Sequence, residues 1–206
     1  MQAITDLIMY FHKGGLVMWP LLACSITVIA IAIERFIYYK GADSGAAFAA
    51  SYCATVRGRD IAAATELARK ADGACAQLLA DAVENSGSKE ELSAFLESRA
   101  GIFMATLRDK LDYLGIIVTL SPLLGLLGTI VGMIGAFSIF NVESGAPIAI
   151  TGGIGEALIA TATGLCVAIM SLCAHAYFAH RMDNMITDME QCFSALLEAE
   201  TRRARA

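Results

Sequence analysis

The residue with the clearest chemical potential is Glu156, which lies in a stretch of otherwise apolar and small residues. A carboxylate can accept and release a proton, but exposing it to lipid at the centre of a bilayer costs about 2–3 kcal/mol. Three hydroxyl groups lie in similar apolar stretches, on Thr129, Thr161 and Thr163. These four side chains could together support proton transfer across a membrane.

Each of these residues also has a structural interpretation. Glu156 could be an interfacial acid near the start of a helix, where the helix dipole favours negative charge. Thr129 could bond only to its own helix backbone. Helical phase places Thr163 on the same face as Glu156 and turns Thr161 about 140° away from it. The two hydroxyls therefore face different neighbours, and either one could face a pore.

A competing hypothesis is a soft-metal or redox site made of Cys166, Cys173, His175 and His180. On a helix His175 is turned about 200° from Cys173, and the chain has no CxxC pair. Buried thiols more often serve packing. We therefore predict no metal site and no cofactor. Cys53, Cys75 and Cys192 lie in the predicted cytoplasmic parts of the chain and should be reduced there. Neither GxSxG, HExxH nor GxxxxGK occurs, so no enzyme is predicted.

The composition places these residues in a membrane protein. The chain has 206 residues, of which 57% are hydrophobic and only 17% charged, besides 18 glycines. Ordinary soluble domains have about 45–50% apolar residues. This hydrophobicity excludes intrinsic disorder. A net charge of -5 without clustered bases argues against binding to nucleic acid.

Three charge-poor runs are long enough to cross a hydrocarbon core of about 30 Å. The first is too long for a signal peptide. Lys and Arg gather on one side of the runs, which predicts an outer N-terminus and a cytoplasmic C-terminus. The predicted organisation is a short periplasmic or interfacial segment at 1–15, spans at 16–39, 113–141 and 148–180, a cytoplasmic helical region at 40–112, a periplasmic loop at 142–147 and a cytoplasmic helical tail at 181–206.

Turn residues at 57–58, 72–73 and 85–87 divide the cytoplasmic region into helices. Ser88 and Glu91 fit a capping box, so a new helix should begin there. Nothing in the sequence then stops that helix before Pro122, which predicts a rod of roughly 50 residues running into the second span. The third span should continue similarly to about Glu200. The expected fold is an all-α integral membrane protein with two helices extended into the cytoplasm.

Small residues recur along the second span at intervals of three and four. In lipid, such a face lets helices approach closely. The predicted packing residues are Gly125, Gly128, Gly132 and Gly135, with Gly164 on the third span. The middle of the spans offers no ionisable side chain, so a partner subunit must supply an acid there if protons cross.

Four blocks of the sequence resemble the MotA/TolQ/ExbB proton channel family. They are residues 121–133 (SPLLGLLGTIVGM), 155–169 (GEALIATATGLCVAI), 14–22 (GGLVMWPLL) and 34–36 (ERF). With three spans and one long loop, the chain is most similar to the ExbB and TolQ members. The resemblance implies that Thr129, Glu156 and Thr161 line the channel region and face a transmembrane aspartate of a partner. Met170 departs from the family pattern, in which proline is common, so an expected kink could be absent.

The resemblance also implies an assembly in the inner membrane. Members form a homo-oligomer, here expected to be a pentamer in contact with membrane lipids, around two helices of an ExbD- or TolR-like single-span subunit. Motion driven by the proton-motive force passes to a TonB- or TolA-like protein. We favour an ExbB-like subunit for energised transport across the outer membrane. A TolQ-like subunit of the envelope-maintenance system and a non-conducting membrane scaffold are the alternatives.

Overall fold

The computed structural model describes residues 14–85, 88–142 and 147–203. All regular secondary structure within these ranges is α-helical, which confirms the predicted all-α class. Three helical segments are long and apolar enough to cross a membrane. The helices are α1 (Met18–Ala42), α2 (Ala46–Arg57), α3 (Ile61–Lys70), α4 (Ala74–Asn85), α5 (Lys89–Arg108), α6 (Leu111–Val142) and α7 (Pro147–Arg203).

Some sequence predictions lie outside the described residues. They concern most of the N-terminal segment, most of the loop between the second and third spans, part of the third turn in the cytoplasmic region, and the last three residues. Where the membrane boundaries fall along α1, α6 and α7, and which terminus faces the cytoplasm, stay predictions.

The chain divides into two compact units. The membrane unit comprises Met1–Ile33 and Lys110–Ala176, and the loop unit comprises Glu34–Asp109 and Tyr177–Ala206. Large apolar side chains such as Leu123 and Leu158 are more than half exposed on the membrane unit. Such a surface would be unfavourable in water and is typical of helices surrounded by lipid or by other apolar helices.

The loop unit has a hydrophobic core of its own. Tyr52 on α2, Leu79 on α4 and Leu96 on α5 are almost fully buried, as are Met189 and Leu196 on the last part of α7. Their contacts hold four short helices and the end of α7 together. The loop unit therefore folds around apolar side chains in the way a soluble helical domain does.

Capping residues fix where two helices of the loop unit, α3 and α5, begin. Asp60 accepts a hydrogen bond from the backbone N–H of Ala63 at 2.9 Å and caps α3. The predicted capping box of α5 is confirmed: the Ser88 hydroxyl accepts from the Glu91 backbone, and the Glu91 carboxylate accepts from the Ser88 backbone. These bonds satisfy N–H groups that a helix start leaves without partners.

The predicted uninterrupted rod from Ser88 into the second span is wrong. Helix α5 ends at Arg108, and α6 begins at Leu111. Between them Lys110 has a φ of 65°, in the left-handed region that interrupts a right-handed helix. No glycine or proline marks this break, which is why the sequence pattern did not predict it.

Side chains from α1 explain the break, because they take up backbone carbonyls at the end of α5. Arg35 donates from Nη1 to the carbonyl oxygens of Thr106 and Asp109, at 3.0 and 3.1 Å. Tyr39 donates from its hydroxyl to the carbonyl of Leu107 at 2.7 Å. In a continuous helix these carbonyls would bond to backbone N–H groups four residues further along.

Helices α6 and α7 run through positions where a break was conceivable. Pro122 lies inside α6, which remains helical on both sides of it. Helices of membrane proteins tolerate proline because neighbouring groups can satisfy the freed carbonyl. Helix α7 likewise continues without a break through Met170. The third apolar segment and the last part of the loop-unit core are thus carried by one helix.

Candidate functional site

Close approach of α6 and α7 defines the geometry of the membrane unit. A methyl group added at Gly164 would lie 2.5 Å from the Ser121 carbonyl oxygen and 3.0 Å from the Gly125 Cα. One added at Gly125 would lie 3.1 Å from the Thr161 Cα. These partners are backbone atoms, which cannot move aside as a flexible side chain can. The two helices therefore touch along their backbones, as the small-residue pattern predicts.

The three remaining predicted packing glycines differ from one another in their surroundings. A Cβ at Gly132 would lie 3.0 Å from the Gly153 carbonyl oxygen, and one at Gly128 would lie 2.5 Å from the Ala160 Cβ. Gly135 is exposed and a Cβ there would meet nothing within 4 Å. At this level Ala136 is the residue that faces α7, because Gly153 packs against it. Gly135 thus takes no part in the contact within this chain.

The hydroxyl of Thr161 lies in this helix contact. Its Oγ1 donates to the Gly125 carbonyl at 3.0 Å and to the Ala157 carbonyl at 3.2 Å. Thr163 instead donates to the Ile159 carbonyl of its own helix, at 2.8 Å. The two hydroxyls do face different neighbours, as helical phase predicts, and Thr161 is the one directed at α6.

Thr129 on α6 is partly buried and bonds locally. Its Oγ1 donates to the Leu126 carbonyl at 2.6 Å, within the same helix. A threonine that donates in this way still has its methyl group and both oxygen lone pairs available to neighbours. Its role toward a channel therefore stays a prediction.

Glu156 on α7 lies against the segment that precedes α1. It is partly buried on α7, about two and a half turns after Pro147, so its own helix start is not beside it. Its carboxylate instead contacts Gly15, immediately before α1. Met18 and Leu21 of α1 are buried and pack with Leu124 of α6. The partly buried carboxylate thus lies against the turn that leads into α1.

The competing cysteine and histidine hypothesis finds no shared centre. Cys166 and Cys173 are both exposed and free, and His175 lies beside Gly115 of α6. Within the ranges that the structure describes, no three His, Cys, Asp or Glu side chains are placed to hold a metal ion.

Three buried cysteines meet instead in the core of the loop unit. The Cys53 and Cys192 Sγ atoms are 4.0 Å apart, and Cys75 is buried in the same cluster. Burial raises the pKa of the Cys53 thiol to about 11. A hydrogen bond from Cys75 and burial both raise the pKa of Cys192. The Cys53 and Cys192 thiols are therefore protonated at neutral pH, which favours a packing role for them.

Sequence reasoning missed the buried guanidinium of Arg35. It is 3% exposed and forms a bidentate pair with Glu34, with Nε–Oε2 and Nη2–Oε1 distances of 2.7 and 2.8 Å. It also lies over the Tyr38 ring, 4.9 Å from the centroid. Arg35 and Tyr39 are four residues apart and share a helix face, which was the available signal. Arg35 therefore holds the end of α5 in place, besides contributing to the positive charge that predicts the orientation in the membrane.

Comparison with known proteins identifies the family of this chain. Residues 68–191, more than half of the chain, match the model of the MotA/TolQ/ExbB proton channel family. The chain belongs to this family. The match spans α6 and most of α7, and therefore includes Thr129, Glu156 and Thr161. The MotA/TolQ/ExbB family is a family of transport subunits and not a known enzyme family.

Two relatives in Synechocystis sp. are named as ExbB-like biopolymer transport proteins. The ExbB-like 1 protein is 35% identical over 79% of this chain and 66% of its own length. The ExbB-like 3 protein is 33% identical over 77% of this chain and 78% of its own length. The chain thus aligns with about two thirds of the first relative. Family membership and three apolar helical segments indicate an inner-membrane protein.

The fold is also that of a solved member of the family. A chain in the structure of C. jejuni MotAB superimposes with a TM-score of 0.60 and covers 93% of this chain and 80% of its own. The two sequences are only 18% identical, so this likeness concerns the fold alone.

Proposed function

We propose that this chain is the ExbB-like subunit of an inner-membrane motor driven by the proton-motive force. The single observation that carries the proposal is the position of Glu156. It is the one carboxylate between the acidic residues Glu143 and Asp183 in the sequence, and it is partly buried in the membrane unit, against Gly15. Ionisable side chains within membrane segments are energetically costly, and they therefore usually mark functional sites. In a family of proton channels, proton transfer is the function that such a carboxylate would serve.

The proposed path joins Glu156 with the hydroxyls of Thr129, Thr161 and Thr163. These groups do not span a bilayer of about 30 Å by themselves. An ExbD- or TolR-like single-span subunit with an acidic residue in its helix would supply the missing group. The exposed apolar surfaces of α6 and α7 would contact that subunit, neighbouring copies and lipid. A pentamer enclosing two such helices is the assembly that we expect.

The available free energy is adequate for such a motor. One elementary charge that crosses 100 mV releases about 2.3 kcal/mol, and a pH gradient adds to this. A TonB-like protein would receive the motion and energise transport across the outer membrane. The names of the two ExbB-like relatives support this branch. A TolQ-like role, with a TolA-like recipient, is the second candidate, because the same family model covers both.

Native mass spectrometry is the first test of the assembly. The tagged chain is purified in mild detergent from cells that also express the neighbouring genes. We expect a mass of five copies together with two copies of a small single-span protein. A homo-oligomer without such a protein, reproduced in several detergents, would favour a non-conducting scaffold.

Proton flux is the test of the path. The complex is reconstituted in vesicles that contain a pH-sensitive dye, and a potassium diffusion potential drives protons. We expect Glu156→Gln to abolish flux while the complex still assembles. Glu97→Gln, at an exposed position of α5, is the matched control and should conduct like the wild type. Flux through Glu156→Gln at the wild-type rate would refute the proposed path.

A further inference from the structure

The backbone at Gly15 leaves space that the Glu156 carboxylate occupies. A Cβ built on Gly15 would overlap Oε1 of Glu156 and would lie 2.9 Å from its Cδ. Any side chain at position 15 would therefore have to displace the carboxyl group itself. No other described glycine of the membrane unit has a carboxylate as its nearest neighbour.

The backbone conformation at Gly15 imposes a second requirement for glycine. Its φ of 72° lies in the left-handed region, which residues with a Cβ adopt at a cost. Gly15 also begins the first turn of α1, because its carbonyl accepts from the Met18 N–H at 3.2 Å. The first N–H groups of a helix have no partners in the helix and attract negative charge. The turn at Gly15 thus leaves free the space that the carboxylate occupies.

We propose that Gly15 is a positioning residue for Glu156: the turn at Gly15 fixes where the carboxylate stands in the proton path. This inference rests on the proposed function, in which Glu156 takes part in proton movement. It assigns a specific task to the beginning of α1, which carries no ionisable group of the path itself. The first helix then contributes to conduction by shaping the site, besides packing against α6 and α7.

The chain offers two matched controls for a Gly15→Ala variant. At Gly14 a Cβ would meet chiefly the flexible Met18 side chain, with Cγ at 2.5 Å, so the neighbour can move aside. At Gly45 the φ is 81°, but a Cβ would meet nothing within 4 Å. Gly14→Ala therefore tests a methyl group added next to the site. Gly45→Ala tests the strain of a left-handed alanine without a displaced carboxylate.

The experiment uses the full complex of this chain with its single-span partner and measures two quantities. The first is proton flux in vesicles. The second is the rate at which dicyclohexylcarbodiimide modifies Glu156, followed by mass spectrometry of its peptide at several pH values. We expect Gly15→Ala to slow flux by roughly tenfold or more, since a displacement of about 1 Å of a reacting group can cost about 100-fold. The pH profile of modification should shift as well, whereas both control variants should match the wild type.

A rescue keeps the test decisive if Gly15→Ala assembles poorly. Glu156→Asp shortens the side chain by one methylene, so the double variant relieves the overlap with the new methyl group. We expect the double variant to assemble better than Gly15→Ala alone. Equal behaviour of Gly15→Ala and Gly14→Ala in both measurements, or a poorly assembling Gly15→Ala that Glu156→Asp does not rescue, would overturn the inference.

The two measurements separate this inference from the proposed function. If Glu156→Gln conducts normally but Gly15→Ala still alters modification of Glu156, the proton path fails and the positioning contact stands. If Glu156→Gln abolishes flux and Gly15→Ala changes nothing, the path stands and the positioning role fails.

Discussion

The hydroxyl of Thr161 on α7 donates a hydrogen bond to the backbone carbonyl of Gly125 on α6, over 3.0 Å. Glycine at position 125 makes this bond accessible, because its missing side chain lets the two backbones come together. The same hydroxyl is a candidate group of the proton path. Stability and conduction must therefore be measured separately at this position.

Replacing Thr161 by valine should weaken the contact between α6 and α7. Valine has nearly the same shape but no donor, and such bonds in membranes contribute about 0.6 kcal/mol on average. Thr161→Ser keeps the donor and is the control. Thermal unfolding of the assembled complex, compared for the two variants, checks this. A valine variant as stable as the serine variant would show that the bond contributes nothing.

Alanine at Gly164 should be much more damaging than alanine at Gly135. The added methyl group at 164 meets backbone atoms of Ser121 and Gly125, and overpacking of this kind costs about 1–3 kcal/mol. The methyl group at 135 meets open space within the chain. Size-exclusion chromatography of heated samples gives the melting temperature of each variant. Equal losses would mean that Gly135 packs against another chain of the assembly.

Loss of Arg35 should destabilise the end of α5. Arg35→Ala leaves the carbonyls of Thr106 and Asp109 without their side-chain donor and removes the partner of Glu34. We expect a loss of about 2–4 kcal/mol, since hydrogen bonds to charged groups are strong and buried charges need partners. Proteolysis at the α5–α6 junction should become faster. The control is Arg99→Ala, an exposed arginine over the Phe95 ring, for which the loss should be about 0.5–1 kcal/mol.

Cys53 should react slowly with maleimide at pH 8, because burial raises its pKa to about 11. An unfolded thiol has a pKa of about 8.5. The protonated thiol therefore contributes stability that is complete below pH ~8.5 and is lost as the pH rises toward about 11. Mass spectrometry after labelling gives the rate. A sample unfolded in a denaturing detergent is the control. Rapid labelling of the folded protein at pH 8 would contradict the buried position.

Local features of the sequence were sufficient for the family and for most helix boundaries, though not for the break between α5 and α6. Ser88 and Glu91 predict the start of α5, and the glycines at 58 and 73 predict the breaks on either side of α3. Long runs without charged residues predict three apolar helices. In each case the decisive residues are neighbours in the sequence, so hydropathy and turn preferences report on them directly.

The sequence also indicated which helix faces would matter, but only in part. Spacing identified the glycine face of α6 and separated Thr161 from Thr163 by helical phase. It could not exclude Gly135, whose spacing equals that of its neighbours, because only the position of α7 decides which residue is covered. Nor could it predict which of the two threonines is directed at α6.

The sequence by itself therefore determined the all-helical class with three apolar segments and the family, and it predicted the candidate residues of a proton path. Tertiary structure decided the relations among distant residues. Arg35 reaches Thr106 across 71 residues and ends a helix that local propensity would continue. Gly15 meets Glu156 only after the first and third apolar segments have packed together. The physical reason is that hydrogen bonds and steric exclusion act over a few ångströms in space, whatever the separation along the chain.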